Sequence, residues 1–338
     1  MRLERRYWAG IVCLAVASWV PPAVAQTQQQ IDWCVNSGNA FSIDWQIVGC
    51  TGVIQSGRLS AKDLARAFCN RGSGWRSKGE PDRAIADYNE AIRLDPNFGA
   101  AYNGRGTAYD DKKNYDRAIA DYDEAIRLDP KDARAFYNRG NAYHDKRDYD
   151  RAIADYDEAV RLNPQEAKVF NNRGNAWHDK GDQDRAIADY DTAIRVDPTD
   201  AFFFNNRGFA YFLKKEYDRA ITDYNEAIRL NSEYGLAFRN RGLAWSAKGN
   251  LDRAIADYEQ AIRRDPKDAL VFNNRGFAYY RKEDYDRAIK DYDEAIRLDP
   301  SLYQAFYNRG LAKEKMGDAV GSDADLVKAR KLQSSTGE

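Results

Sequence analysis

The chain is 338 residues long, 43% hydrophobic and 31% charged, with a formal balance of -1. That balance lacks the basic excess that phosphate backbones select, which excludes nucleic acid as a partner class. A length of 338 residues would ordinarily divide into two or three globular domains, but a regular internal period overrides that expectation.

Taken in chain order, residues 1–25 differ from everything after them. Arg2, Arg5 and Arg6 make a basic start, Trp8 to Val20 is an uncharged and mostly apolar run, and Ala23-Val24-Ala25 has the small-x-small form of a signal peptidase site. Pro21 and Pro22 stop that run short of the roughly 20 residues a spanning helix needs. A cleaved secretory signal is therefore expected, with no membrane span left after cleavage and a periplasmic or secreted destination. The Arg5-Arg6 pair leaves twin-arginine export open beside the general route.

Residues 26–64 read as an N-terminal cap segment. Ile43, Ile47, Val48 and Ile54 recur at helical spacing, and Ser60 with Asp63 forms a capping-box-like start to the next helix. Cys34, Cys50 and Cys69 remain once the leader is gone, which permits one disulfide. Cys34 with Cys50 is the expected pair, because Cys69 falls inside a helix whose neighbours already specify its packing. Closing that loop would contribute about 3 kcal/mol on the chain-entropy estimate.

From residue 65 the sequence repeats. Gly72, Gly106, Gly140, Gly174, Gly208, Gly242, Gly276 and Gly310 stand 34 residues apart, which defines eight copies: 65–98, 99–132, 133–166, 167–200, 201–234, 235–268, 269–302 and 303–336. In the second copy two helices are expected, Gly99 to about Lys112 and Tyr115 to Leu128, the latter closed by Asp129-Pro130. An aromatic at repeat position 4, Gly at 8 and an aromatic at 11 share one face of the first helix. Ala at 20, Tyr at 24 and Ala at 27 answer from the second helix. No single hairpin buries these rings, so each copy must lean on the next.

Aromatic, Gly, Tyr, Ala, Tyr, Ala and Pro at positions 4, 8, 11, 20, 24, 27 and 32 closely resemble the tetratricopeptide repeat, over residues 65–336. The resemblance implies an all-α, right-handed α-solenoid of eight helix-turn-helix repeats behind the disulfide-tied cap, with first helices lining a concave side. It implies binding of a protein or peptide partner, not catalysis and not a cofactor. The stretch Ile47 to Ile54 is also similar to segments that precede such arrays in exported alphaproteobacterial proteins. Repeat eight departs from the pattern with Lys313, Ser322 and Leu326 and no closing Pro, as a polar end repeat would.

Three rows of residues are candidates for function. Asn70, Asn138, Asn172, Asn206, Asn240, Asn274 and Asn308 occupy position 6, away from the packed face, with Gly104 as the gap. Each amide offers a donor and an acceptor, enough to hold one peptide unit of an extended ligand, as such a row does in the family; bridging of adjacent helices is the other reading. Arg at 7 and Asp at 23, present in every copy, predict a structural ion pair at the repeat seam, with phosphate binding by the Arg row as the lesser alternative. Positions 2, 9, 12 and 13 are polar in repeats three and four (Asn141, His144, Asp145, Asn175, His178, Asp179). In repeats five to seven they turn apolar: Phe202, Phe209, Phe212, Leu213, Leu236, Leu243, Leu270, Phe277 and Tyr280.

A contiguous apolar patch marks a partner site, or a surface consumed by a homodimer. His144 and His178 read as solvated polar residues, since no third metal ligand accompanies them. Asp123 with Arg127 and Asp157 with Arg161 read as i, i+4 pairs on the outer face.

Overall fold

The computed structural model describes residues 25–36 and 40–336. The leader expected over residues 1–25 lies, apart from Ala25, outside them. Eighteen helices and no strand occur among the described residues. They are α1 (Ala25–Val35), α2 (Ile43–Gln55), α3 (Ala61–Ser77), α4 (Pro81–Leu94), α5 (Gly99–Asp111), α6 (Tyr115–Leu128), α7 (Ala133–Asp145), α8 (Tyr149–Leu162) and α9 (Ala167–Asp179). The series continues with α10 (Gln183–Val196), α11 (Ala201–Leu213), α12 (Tyr217–Leu230), α13 (Gly235–Ala247), α14 (Leu251–Arg264), α15 (Ala269–Arg281), α16 (Tyr285–Leu298), α17 (Tyr303–Lys315) and α18 (Ala319–Thr336). The chain divides into two compact units, Met1–Ala176 and Trp177–Glu338, and within each one consecutive helices pack as hairpins in series.

The packing follows from the repeated residues. A Cβ placed on Gly106 would stand 2.7 Å from a ring carbon of Tyr122, and one on Gly242 would stand 2.6 Å from Tyr258, so the position-8 glycine admits the position-24 ring between the two helices. Tyr88, Tyr122, Tyr156, Tyr190, Tyr224, Tyr258 and Tyr292 are accordingly the largest fully buried side chains. The turn between the helices puts position 15 at positive φ. Gly79, Gly181, Gly249 and Gly317 accept this freely, whereas Lys113, Arg147, Lys215 and Glu283 adopt it at φ of 59–63° against the preference of L-residues.

The cap is itself a helical hairpin. Cys34 and Cys50 form the expected disulfide, joining α1 to α2, and Cys69 is a buried thiol outside it. Ser60 accepts from the Asp63 amide at 3.2 Å and caps α3 as expected. One expectation fails in detail: Ile47 is buried and Ile54 partly so, but Ile43 and Val48 are exposed. At 100° per residue Val48 is turned away from the Ile47–Ile54 face, and Ile43, which shares that face, is the first residue of α2 and lies at its open end. Trp45 packs against Trp33 in a tilted arrangement, with centroids 4.4 Å apart.

The outer-face pairs also differ from expectation. Arg127 and Arg161 reach back three residues to Glu124 and Glu158. That frees Asp123 and Asp157 to meet Arg139 and Arg173 of the following repeat. The last repeat is not uniformly polar either. Positions 18 and 25, acidic or Asn in repeats one to seven, become Val320 and Val327, both exposed.

Candidate functional site

Two sets of side chains line the repeats, and the structure separates them by what each is bonded to. The first is the Arg row. In repeats one to three and five to eight the position-7 guanidinium grips the position-23 carboxylate of its own repeat through Nε and Nη2, at 2.6–2.8 Å. This two-point geometry is the strongest form of the pair.

In repeats two, three, five, six and eight the remaining arm crosses to position 25 of the preceding repeat. Arg105 meets Asn89 at 2.6 Å, Arg207 meets Asp191 at 2.7 Å, and Arg241 meets Asn225 at 2.7 Å. Each of these five Arg therefore ties three helices together. In these repeats all three guanidinium nitrogens are engaged inside the scaffold, which favours the structural reading of the row over phosphate binding. The cap supplies the same service: Thr51 on α2 accepts from Arg71 at 3.3 Å, and Asp44 accepts from Lys78 at 2.6 Å.

Burial pushes the Asp155, Asp223 and Asp291 carboxyls above the usual carboxylate range, and the facing Arg offsets only part of the rise. Asp325 behaves differently. Burial raises it too, but Arg309 and Lys313 together outweigh that and hold it below the usual range. Lys313, which replaces the position-11 aromatic, lies 2.9 Å from Asp325.

The position-6 Asn row is engaged with neighbouring helices. Asn138 donates to Asn103, Asn240 to Asn205 and Asn308 to Asn273, each at 3.0 Å, and Asn172 donates to Asn141 and to the Tyr137 hydroxyl, each at 2.9 Å. These amides bridge adjacent first helices, the second of the two sequence readings. Asn206 accepts from Asn205 at 3.4 Å, Asn274 is half-buried, and the Asn70 carbonyl accepts from Gln46 at 3.0 Å. The acceptors at position 5, Asn103, Asn205 and Asn273, escaped the sequence reading. The doublets Asn205-Asn206 and Asn273-Asn274 were the signal for them.

The second set is apolar and confined to the unit Trp177–Glu338. Phe202 (41% exposed), Leu213 (45%), Leu270 (44%) and Phe277 (42%) stand out from α11 and α15, with Phe209, Phe212, Leu236, Leu243 and Tyr280 half-buried beside them. The rings form two equivalent rows. In repeat five, Phe209 stacks on Phe212 at 6.2 Å and Phe212 meets Tyr217 at 5.6 Å. In repeat seven, Phe277 stacks on Tyr280 at 6.4 Å and Tyr280 meets Tyr285 at 5.5 Å. Repeat six interrupts the series with Leu243 and Ser246 at the same positions.

A buried hydroxyl under each row shows what the rings cost. In repeat three the Tyr156 hydroxyl donates to Asn141, at position 9, over 2.8 Å. Repeats five and seven place Phe209 and Phe277 at position 9, and the hydroxyls of Tyr224 and Tyr292 beneath them are buried without a partner. An unpaired buried hydroxyl costs about 1–3 kcal/mol. The rings are thus poorly explained by fold stability.

The histidines lie apart in character from either set. His144 sits 3.8 Å from Asp145 and packs on Tyr149, while His178 Nδ1 lies 2.9 Å from Gln183 and its ring packs on Phe209. Among the described residues no three His, Cys, Asp or Glu side chains come together as a metal site.

Comparison with known proteins agrees with this geometry. Models described as TPR repeat match residues 106–147, 246–283 and 278–317, and models described as tetratricopeptide repeat match 65–98, 87–120, 137–201 and 201–234. No curated protein matches the sequence. Among solved structures, the APC/C hetero-tetramer Cut9-Hcn1 is similar over 80% of this chain and 52% of its own, at 18% identity and a TM-score of 0.61. The present chain thus spans about half the length of that relative.

A tetratricopeptide repeat protein from Parabacteroides merdae is similar over 73% of this chain and 98% of its own, at 18% identity and a TM-score of 0.58. PilF of Pseudomonas aeruginosa is similar over 62% and 95%, at 18% identity and a TM-score of 0.55. At these identities the likeness is one of fold. Proteins built from this repeat generally mediate protein–protein interactions, and none of the matching models describes an enzyme family. The repeat matches, the hairpins in series and the interlocked Arg, Gly and Tyr rows together make this chain a tetratricopeptide repeat protein.

Proposed function

We propose that this protein is an exported, periplasmic adaptor that holds a protein partner on the apolar face of repeats five to seven. The single observation behind this reading is the pair of aromatic rows laid over partnerless tyrosine hydroxyls. Apolar groups that remain exposed and cost hydrogen bonds beneath them are best accounted for by what they contact outside the chain. The position-6 Asn row enters as a secondary contact through its amide oxygens, since four of its amide nitrogens already bridge helices. Catalysis has no part in this reading.

Export rests on the basic, apolar and small-x-small order of residues 1–25. The N-terminal residue of the protein recovered from cells tests it, with Gln26 the expected first residue. A photo-crosslinking residue at position 277, with one at position 141 as control, tests the site. Adducts to another protein from 277 and none from 141 are expected. Adducts only to a second copy of the chain would favour the homodimer reading, and no adduct from 277 would remove the site.

A further inference from the structure

We infer that the partner segment is an extended, acidic peptide carrying two large apolar side chains about six residues apart, with carboxylates between them. The inference rests on the proposed apolar site and specifies its ligand. The two aromatic rows are two repeats apart, and the first helices between them are in contact, α11 with α13 through Asn205 and Asn240 and α13 with α15 through Ser246 and Arg281. At about 10 Å between neighbouring helix axes, Phe209 and Phe277 stand roughly 20 Å apart. An extended chain rising about 3.3 Å per residue covers that span in about six residues.

An even spacing has a second consequence. Side chains alternate along an extended chain, so residues i and i+6 point the same way, as do i+2 and i+4 between them. Opposite those middle residues lies Arg281. Its Nη1 donates to the Ser246 carbonyl at 2.7 Å, which brings the guanidinium to repeat six, the repeat that separates the two aromatic rows.

Arg281 is exposed, and no carboxylate among the described residues lies within ion-pairing distance of it. The neighbouring Arg239, by contrast, is neutralised by Asp268 at 2.9 Å. The face therefore reads apolar, cationic, apolar, and its complement is apolar, acidic, apolar. A helix suits it less well. Spanning roughly 20 Å takes about four helical turns, and the turns over Ser246 and Arg281 would press an apolar stripe on polar groups.

The test uses the full chain and synthetic labelled peptides in a Gly/Ser background, read by fluorescence anisotropy. The lead peptide has two Phe six residues apart with Glu two and four places after the first. Comparators place the Phe four apart, replace Glu by Gln, or set the Phe fourteen apart in a helix-forming sequence. The lead peptide should bind at least tenfold more tightly than each comparator. Phe209→Ala and Phe277→Ala should each weaken it at least tenfold, and Arg281→Gln should erase the preference for Glu over Gln.

Equal binding of all spacings, indifference to Glu against Gln, tighter binding of the helical peptide, or no binding of any peptide would each overturn the inference. Those outcomes leave the site itself standing if position 277 still crosslinks a protein in cells. Loss of that crosslink would remove the site as well.

Discussion

Repeats three and five carry the same scaffold under opposite faces. In both, the position-7 Arg holds its own Asp through two nitrogens and the preceding repeat's position-25 Asp through the third. In both, a position-24 Tyr fills the space beside a Gly. Above that tyrosine repeat three places Asn141, which accepts a hydrogen bond from its hydroxyl, and repeat five places Phe209, which cannot. The difference teaches that position 9 is free of the fold's demands. In repeat three position 9 accepts from the tyrosine, and in repeats five and seven it carries a ring that leaves the hydroxyl without that bond.

The largest effects should fall on what the two regions share. Arg139→Ala and Arg207→Ala each strand a buried carboxylate and should cost about 3–5 kcal/mol in denaturant unfolding. Similar losses at both positions are expected, and a loss at only one would break the claim of a common scaffold.

The next effect separates the regions. Asn141→Phe copies repeat five into repeat three, removing the Asn141 acceptor from the Tyr156 hydroxyl and from Asn172. It should destabilise by about 1–3 kcal/mol in the same assay. A smaller change concerns the shared turn. Lys113→Gly and Lys215→Gly relieve positive φ and should each gain about 1 kcal/mol, alike in both regions.

The smallest effect is pH-dependent. Asp325 is depressed, so its contribution is present above the unfolded carboxylate value and lost as pH falls through its folded value. Lys313→Met removes one of the two cations responsible. Thermal melts should show the parent ahead at pH 7 and the gap closing as pH falls below the usual carboxylate range.

Much of this was legible in the sequence, for identifiable reasons. Period, hairpins and the Arg-to-Asp pairing are written in residues that recur in register, and the Cys34–Cys50 pair followed from Cys69 lying within a helix. What escaped depends on which neighbour a side chain meets. Asp123 has Arg127 one turn away in sequence, yet it meets Arg139 from the following repeat, because Arg127 has Glu124 nearer on its own helix. Asn138 was visible as a polar row member, but its partner Asn103 belongs to the preceding repeat. The apolar run from Phe202 to Tyr280 was evident, whereas the stranded hydroxyls of Tyr224 and Tyr292 beneath it required the packing. A periodic sequence displays what each repeat contains and hides how one repeat is read by the next.

The central claim is that the aromatic rows serve binding and not folding. Unfolding of the double variant Phe209→Asn/Phe277→Asn by denaturant tests it most directly, because each Asn restores the acceptor that Tyr156 enjoys in repeat three. The account predicts a variant at least as stable as the parent, with a gain of about 1 kcal/mol for each hydroxyl satisfied. A loss of several kcal/mol, the cost of removing a core aromatic, would contradict it.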